Sequence, residues 1–203
     1  MSRIIIVPGW RDSGPGHWQT LWAQQLPNTV RVQQDDWANP TRSAWVDRIT
    51  ETILAKEGQV VVVAHSLGCI AVSHLPEEAT ARIASALLVA PANPERRAML
   101  ADFAPVPYQR LSYHSIVVAS NDDPYCPVRT AAAYARAWGS ELVKLQQAGH
   151  INVESGHGFW PLGLGLLQSL LSNSDPAKAE GWPNPLTPPK LPQRGFALSQ
   201  LSY

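Results

Sequence analysis

The stretch Val60-Val61-Val62-Val63-Ala64-His65-Ser66-Leu67-Gly68-Cys69 constrains this chain more than any other. Four consecutive valines with no polar alternation read as a strand buried on both faces. A helical segment begins directly after Ser66, so the chain must pass from strand to helix at a single serine. Small residues two positions away on either side, Ala64 and Gly68, let neighbouring main chain approach such a turn. This is the arrangement of a nucleophile elbow, whose strained turn presents a serine hydroxyl above the end of a sheet. Its general form has glycine at both flanking positions, and here Ala64 replaces the first. The competing explanation is that Ser66 only caps the helix beginning at Leu67.

The rest of the chain repeats the alternation. Strands are expected at residues 3–7, 29–33, 59–64, 85–90, 115–120 and 141–145, three of them continuously apolar. Helices are expected near 17–25, 43–56, 67–74, 128–138 and 159–171. The fold class is therefore α/β: one domain over residues 1–171, with a mostly parallel sheet of about six strands flanked by helices. Residues 91–113 break the pattern with Pro91, Pro94, Pro105 and Pro107 around a short helical stretch, and suit a minimal cap over a sheet-top pocket. Residues 172–203 carry six prolines between Pro176 and Pro192 but also Trp182, Phe196 and Tyr203. They read as an arm packed on the body or on a neighbouring subunit, through which a homodimer is expected.

A serine at an elbow needs a base and a group that orients the base. In this kind of fold the acid and then the histidine follow the serine, each on a loop after a strand. The strand at 115–120 leads into Asn121-Asp122-Asp123-Pro124-Tyr125-Cys126-Pro127, and that at 141–145 into Gln146-Gln147-Ala148-Gly149-His150. His150 is the candidate base. Asp123 is favoured over Asp122 as its partner, because the following Pro-Tyr-Cys-Pro fixes the loop; Asp122 would help fold the turn. Two backbone N–H donors are required for a developing oxyanion. Leu67 supplies one; Trp10, after Gly9 in the first loop, supplies the other.

That first loop has a rival explanation. A glycine-rich turn after the first strand, with Asp35 or Asp36 about twenty residues on, is also the outline of a dinucleotide site. Gly14 and Gly16 fit its spacing, but the third glycine position holds Gln19 and the loop is long for the motif.

Lys plus Arg and Asp plus Glu balance at 16 each, so no net field draws the protein to nucleic acid or to an acidic membrane. A small neutral or apolar acyl substrate fits that balance better than a polyanion. Two cysteines are too few for a disulfide framework, no apolar run reaches the length of a membrane span, and the apolar start at Ile4 is too short for a signal peptide. A cytoplasmic location is expected. His65 reads as packing in preference to a pocket wall, and His74 and His114 as structural or exposed; no metal-ligand spacing occurs, so neither metal nor cofactor is expected.

With these residues in view, the chain resembles the YdeN / retinoblastoma-binding protein nine family of small serine hydrolases, within the α/β-hydrolases. The resemblance spans about residues 3–171 and rests on Val7-Pro8-Gly9-Trp10, the His17-Trp18-Gln19 run, Asp36-Trp37-Ala38-Asn39-Pro40, Ala64-His65-Ser66-Leu67-Gly68, Asp122-Asp123-Pro124 and Gly149-His150-Ile151-Asn152. It implies a catalytic triad of Ser66, Asp123 and His150 and ester-type hydrolysis. The long tail after Leu171 is not needed by that core. Trp10, Trp18, Trp37 and Tyr125 are candidates for an aromatic pocket wall suited to apolar acyl or aryl groups. Two functions follow: a serine hydrolase cleaving small esters, thioesters or amides through an acyl-enzyme, or a binding or scaffolding protein that keeps the fold with little turnover.

Overall fold

The alternating apolar runs assemble into a single sheet of parallel strands in the computed structural model, which describes residues 2–174. In chain order the elements are β1 (Arg3–Val7), α1 (Trp18–Gln25), β2 (Thr29–Arg31), α2 (Arg42–Leu54), β3 (Val60–His65), α3 (Leu67–Ser73), α4 (Glu77–Thr80), β4 (Ile83–Val89), β5 (His114–Ser120), α5 (Val128–Trp138), β6 (Glu141–Leu145) and α6 (Pro161–Ser174). The strand order is β2-β1-β3-β4-β5-β6, with every neighbouring pair parallel.

The continuously apolar strands are explained by helices on both faces. Ile5, Val7, Val60, Val62 and Ala64 point into one buried cluster with α2, α3 and α5, while Ile4, Ile6, Val61 and Val63 point into another with α1 and α6. Burying a Val or Ile side chain contributes about 1.5–3 kcal/mol, so the eight fully buried side chains of Ile4 to Val7 and Val60 to Val63 anchor the centre of the sheet. The order reverses between β1 and β3: β1 connects outward to β2, and the chain then returns to the other side of β1. Crevices for ligands form at the carboxyl ends of strands at such a point. Register places Val7 beside Ala64, His65 beside Val89 and Ser120 beside Leu145, so the loops after these strands open on one edge.

Most expected bounds agree with this arrangement; β1, α5 and β6 coincide with it. Three differences have local causes. The four-residue α4 was not foreseen, being too short to show periodicity. Residues 91–113 hold two 3-10 turns, Pro94–Arg96 and Ala98–Phe103, of which the second buries Leu100 and Phe103 against the sheet. Phe103 meets Trp45 of α2 edge-on, at 5.9 Å between ring centroids. Finally, α6 continues to Ser174, past the expected domain end at 171. The rest of the expected arm, with its homodimer contact, lies outside the described residues. Among the described residues no helix is long and apolar enough to cross a membrane.

Candidate active site

Ser66 sits at φ 53° and ψ −120°, a backbone conformation that costs a non-glycine residue on the order of 1–3 kcal/mol. The surrounding main chain holds it there. Its N–H donates to the Val89 carbonyl at 2.9 Å, and its own carbonyl accepts from Cys69 at 3.1 Å and Ala92 at 3.2 Å. The side chain makes no capping bond to α3, so helix capping does not account for the serine. The requirement for a small residue at Gly68 is concrete. A Cβ there would lie 2.6 Å from the carbonyl oxygens of both Val7 and Pro8. Ala64, by contrast, is accommodated as the last fully buried apolar residue of β3.

The Ser66 hydroxyl is 2.8 Å from Nε2 of His150, and Nδ1 of His150 is 2.8 and 3.0 Å from the two carboxylate oxygens of Asp123. The carboxylate fixes the tautomer: Nδ1–H donates to Asp123, and Nε2 is left to accept from the serine. Asp123 Oδ1 also accepts from the Tyr125 N–H at 2.8 Å, which orients the carboxylate. Asp122 faces elsewhere. Its Oδ1 accepts from the Ser120 hydroxyl at 2.5 Å and the Gly149 N–H at 2.9 Å, and these bonds hold its carboxyl below the usual range. It thereby ties the loop after β5 to the loop carrying His150. Asn121 adds two ties of its own, to the Gln146 side chain and the Gln147 N–H.

Gly9 brings the first loop against the serine. A Cβ on Gly9 would sit 2.8 Å from Ser66 Cβ and 3.1 Å from the His65 carbonyl oxygen. Among the described residues, neither the Trp10 nor the Leu67 backbone N–H donates a hydrogen bond to protein. Gln19, fully buried, sends its amide NH2 to the carbonyls of Val7 and Val63 at 3.0 and 3.1 Å, while Ser13 donates to its Oε1. At the third glycine position of the dinucleotide motif there is thus a clamp joining β1 to β3, and no open phosphate cradle.

Ser66, His150, Trp10 and Tyr125 border a cavity of about 340 Å³, within the range of small-molecule sites. Two of the four expected aromatic walls do not belong to it. Trp18 is fully buried among Trp22 and Trp160, and its indole N–H donates to the Ile151 carbonyl at 2.9 Å. It pins the histidine loop from beneath. Trp37 packs edge-on against Trp45 beside the sheet, 5.7 Å between centroids. Trp18 is drawn into the core, which takes large aromatic rings wherever they can be fully covered, whereas Trp37, half-buried, packs against the edge of the core.

The cavity also includes His65, expected as packing, and other residues to which the sequence assigns no site role. His65 lines it, and its Nε2–H donates to the His150 carbonyl at 3.0 Å. His17 caps α1 by accepting the Gln19 N–H on Nδ1, and its ring lies 4.8 Å from that of His65. Burial lowers the pKa of both, assisted by nearby His150; His17, also near Arg31, falls to about 4, and His65 lies well below its ordinary value. Both imidazoles are therefore neutral at pH 7. Position next to the nucleophile was the only signal for His65. The cap contributes Asn93, Arg97 and Leu100, which no local motif marks. Cys69 and Cys126 are buried free thiols; burial pushes Cys69 far up and Cys126 to about 12, so neither is a nucleophile at neutral pH. Among the described residues no group of His, Cys, Asp and Glu side chains gathers in a way that could hold a metal.

Comparison with known proteins agrees with this picture. The sequence profile of the serine hydrolase family matches residues 4–169. The hydrolase designated YdeN of Bacillus subtilis (strain 168) is 26% identical over 185 residues, covering 84% of this chain and 97% of its own. The structure of a YdeN-like hydrolase from Pectobacterium atrosepticum superposes with a TM-score of 0.78 at 33% identity, covering 86% of this chain and 92% of that one. Esterase 2 of Thermogutta terrifontis, at 16% identity and TM-score 0.64 over 85% and 82% of the two chains, is alike in fold.

Proposed function

The chain belongs to the serine hydrolase family, in its YdeN branch of α/β-hydrolases, and from that premise we propose that it hydrolyses small carboxylic esters, with thioesters and amides as related substrates, through an acyl-enzyme on Ser66. The observation that carries this reading is the unbroken hydrogen-bonded line from the Ser66 hydroxyl through His150 to Asp123.

In the first half-reaction Ser66 Oγ bonds to the substrate carbonyl carbon while its proton passes to His150 Nε2. The negative charge that develops on the carbonyl oxygen is met by the Trp10 and Leu67 N–H groups, which have no competing acceptor among the described residues. When the carbonyl re-forms, the bond to the leaving oxygen, sulfur or nitrogen breaks and that atom takes the proton from His150. A water molecule then gives a proton to His150 as it attacks the acyl carbon, and the proton returns to Ser66 Oγ as the acid departs. Asp123 keeps the imidazole in the required tautomer throughout. His65 acts on the backbone of His150 and so holds the base in place.

The rival reading, a binding protein with little turnover, drew its support from the arm, which lies outside the described residues. Two free buried thiols suit a reducing compartment, and we place the enzyme in the cytoplasm. Turnover of 4-nitrophenyl butyrate by the wild type and by Ser66→Ala tests the proposal. Loss of about 10⁴-fold or more, with unchanged melting temperature, is expected; a variant within tenfold of wild type would refute it.

A further inference from the structure

The overall charge of zero led to the expectation of a neutral substrate, but the cavity wall is not neutral in its chemistry. We propose that the cavity selects esters that carry a carboxylate, which the Arg97 guanidinium binds at the mouth while the ester lies over Ser66. This rests on the hydrolase reading above and names the class of substrate for it.

Three observations carry the proposal. First, Arg97 stands over the cavity with its charge uncommitted. Its guanidinium lies 4.7 Å from the Tyr125 ring centre and 5.8 Å from that of Trp10. Arg11 lies over the same Trp10 ring at 4.5 Å. Among the described residues neither guanidinium is within ion-pair distance of a carboxylate. An arginine on an aromatic face is partly stripped of water and oriented while its N–H edge stays available, which suits a planar carboxylate.

Second, three neutral polar groups of the wall, Asn93, Asn152 and His17, have an acceptor occupied and a donor open, whereas His65 spends its Nε2–H on the His150 carbonyl. Asn93 Oδ1 accepts from the Glu95 N–H and Asn152 Oδ1 from the Ser155 N–H, which leaves the NH2 of each amide. His17 accepts on Nδ1, so its proton is on Nε2, a buried atom with no partner. Asp12, an acid of the wall, is engaged by Arg31. Glu154 remains as the exposed, unpaired acid at the rim. Walls that offer donors in excess call for a ligand that supplies acceptors.

Third, the distance suits one molecule. Tyr125 touches both Arg97 and the His150 ring, the latter at 4.5 Å between centroids. One ring therefore separates the guanidinium from the base, a span that a short acyl chain covers. With Glu154 opposing a second negative charge, a monoanionic carboxylate fits better than a phosphate dianion.

The test compares esters of equal length with and without the terminal charge: 4-nitrophenyl hydrogen adipate beside 4-nitrophenyl hexanoate, and 4-nitrophenyl hydrogen glutarate beside the pentanoate. A third pair moves the carboxylate to the leaving group. The readout is the ratio of kcat/KM within a pair, which a general loss of activity leaves unchanged. In the wild type at low salt at least one pair should favour the charged ester by about tenfold or more. Arg97→Gln should bring that ratio near one, Arg97→Lys should restore part of it, and added salt should erode it because the guanidinium is exposed. Ratios near one in every wild-type pair, or a preference that survives Arg97→Gln, would overturn the proposal. Monomethyl adipate, a monoanion with the ester in place, as a ligand for Ser66→Ala provides a readout without turnover: it should raise the melting temperature, and adding Arg97→Gln should abolish the rise. No rise would count against the carboxylate site. Failure of the hydrolase reading would show separately, as absence of turnover for every ester.

Discussion

On the floor of the cavity each group of the proposed triad is held by other protein groups, whereas on the roof the Arg97 side chain rests on ring faces alone. Ser66, His150 and Asp123 stand at the ends of three strands; His150 and Asp123 are buried, and the loops between them are laced by Asp122, Asn121, His65 and Trp18. The roof comes from a segment with two 3-10 turns, and residues 95–99 of it are exposed. A reaction requires atoms placed to a fraction of an ångström, which packed strands provide. Selecting one substrate over another requires only a charge within reach, which an exposed side chain provides. The difference teaches that, under the two proposals, turnover and selectivity belong to separate layers, and substitutions should separate them.

The largest effect is expected between the two adjacent aspartates of the floor. Asp123→Asn should lower kcat by about 10⁴-fold, because the amide no longer fixes the productive tautomer. Asp122→Asn should cost about tenfold or less, through looser placement of the histidine loop. Steady-state kinetics on one ester decides this, and equal losses would undo the assignment of their roles.

Next comes Gly68→Ala, which forces a Cβ against two backbone carbonyl oxygens. A loss of about 3 kcal/mol of stability by denaturant titration is expected. A neutral result would mean that the elbow and the first loop are less tightly apposed than these contacts require.

Acid should weaken the floor in a comparable degree. Burial lowers the folded pKa of His17 to about 4, below the ordinary histidine value of about 6.5, and lowers that of His65 too. Below about pH 6.5 the unfolded chain takes up protons that the folded one refuses, so stability is full above that pH and falls between about 6.5 and 4. The share of His17 is about 3 kcal/mol. His17→Asn, which keeps a helix-capping side chain, should flatten the slope of unfolding free energy with pH, and an unchanged slope would contradict the neutral buried imidazole. The smallest effect belongs to the roof. Met99, 48% exposed, can become Ser with a stability change under about 0.5 kcal/mol, and a larger loss would erase the contrast between the layers.

The same contrast explains what could be seen in the sequence. The elbow turn was legible because a buried strand, a serine and a helix are adjacent in the chain, and the placement of His150 and Asp123 beside Ser66 because their loops follow strands in fixed order. The bounds of β1, α5 and β6 were legible from apolar runs; the structure adds that Gly139 ends α5 in the left-handed conformation. Trp18 and Trp37 were misplaced because a tryptophan suits a pocket wall and a core equally, and only packing decides between them. Arg97 and Asn93 were invisible as site residues: their position over Ser66 depends on how an irregular segment folds back, which no periodicity encodes. Net charge is a sum over the chain and carries no information on the donors that gather at one cavity.

The central claim, that Ser66 is the nucleophile and is activated by His150, is tested most directly by covalent labelling. Intact-mass analysis after treatment with a fluorophosphonate should show one adduct on the wild type, mapping to the peptide that contains Ser66, and none on Ser66→Ala. His150→Ala should slow labelling by several orders of magnitude while the protein stays folded. No adduct on folded wild type, or an adduct on another residue, would contradict the account.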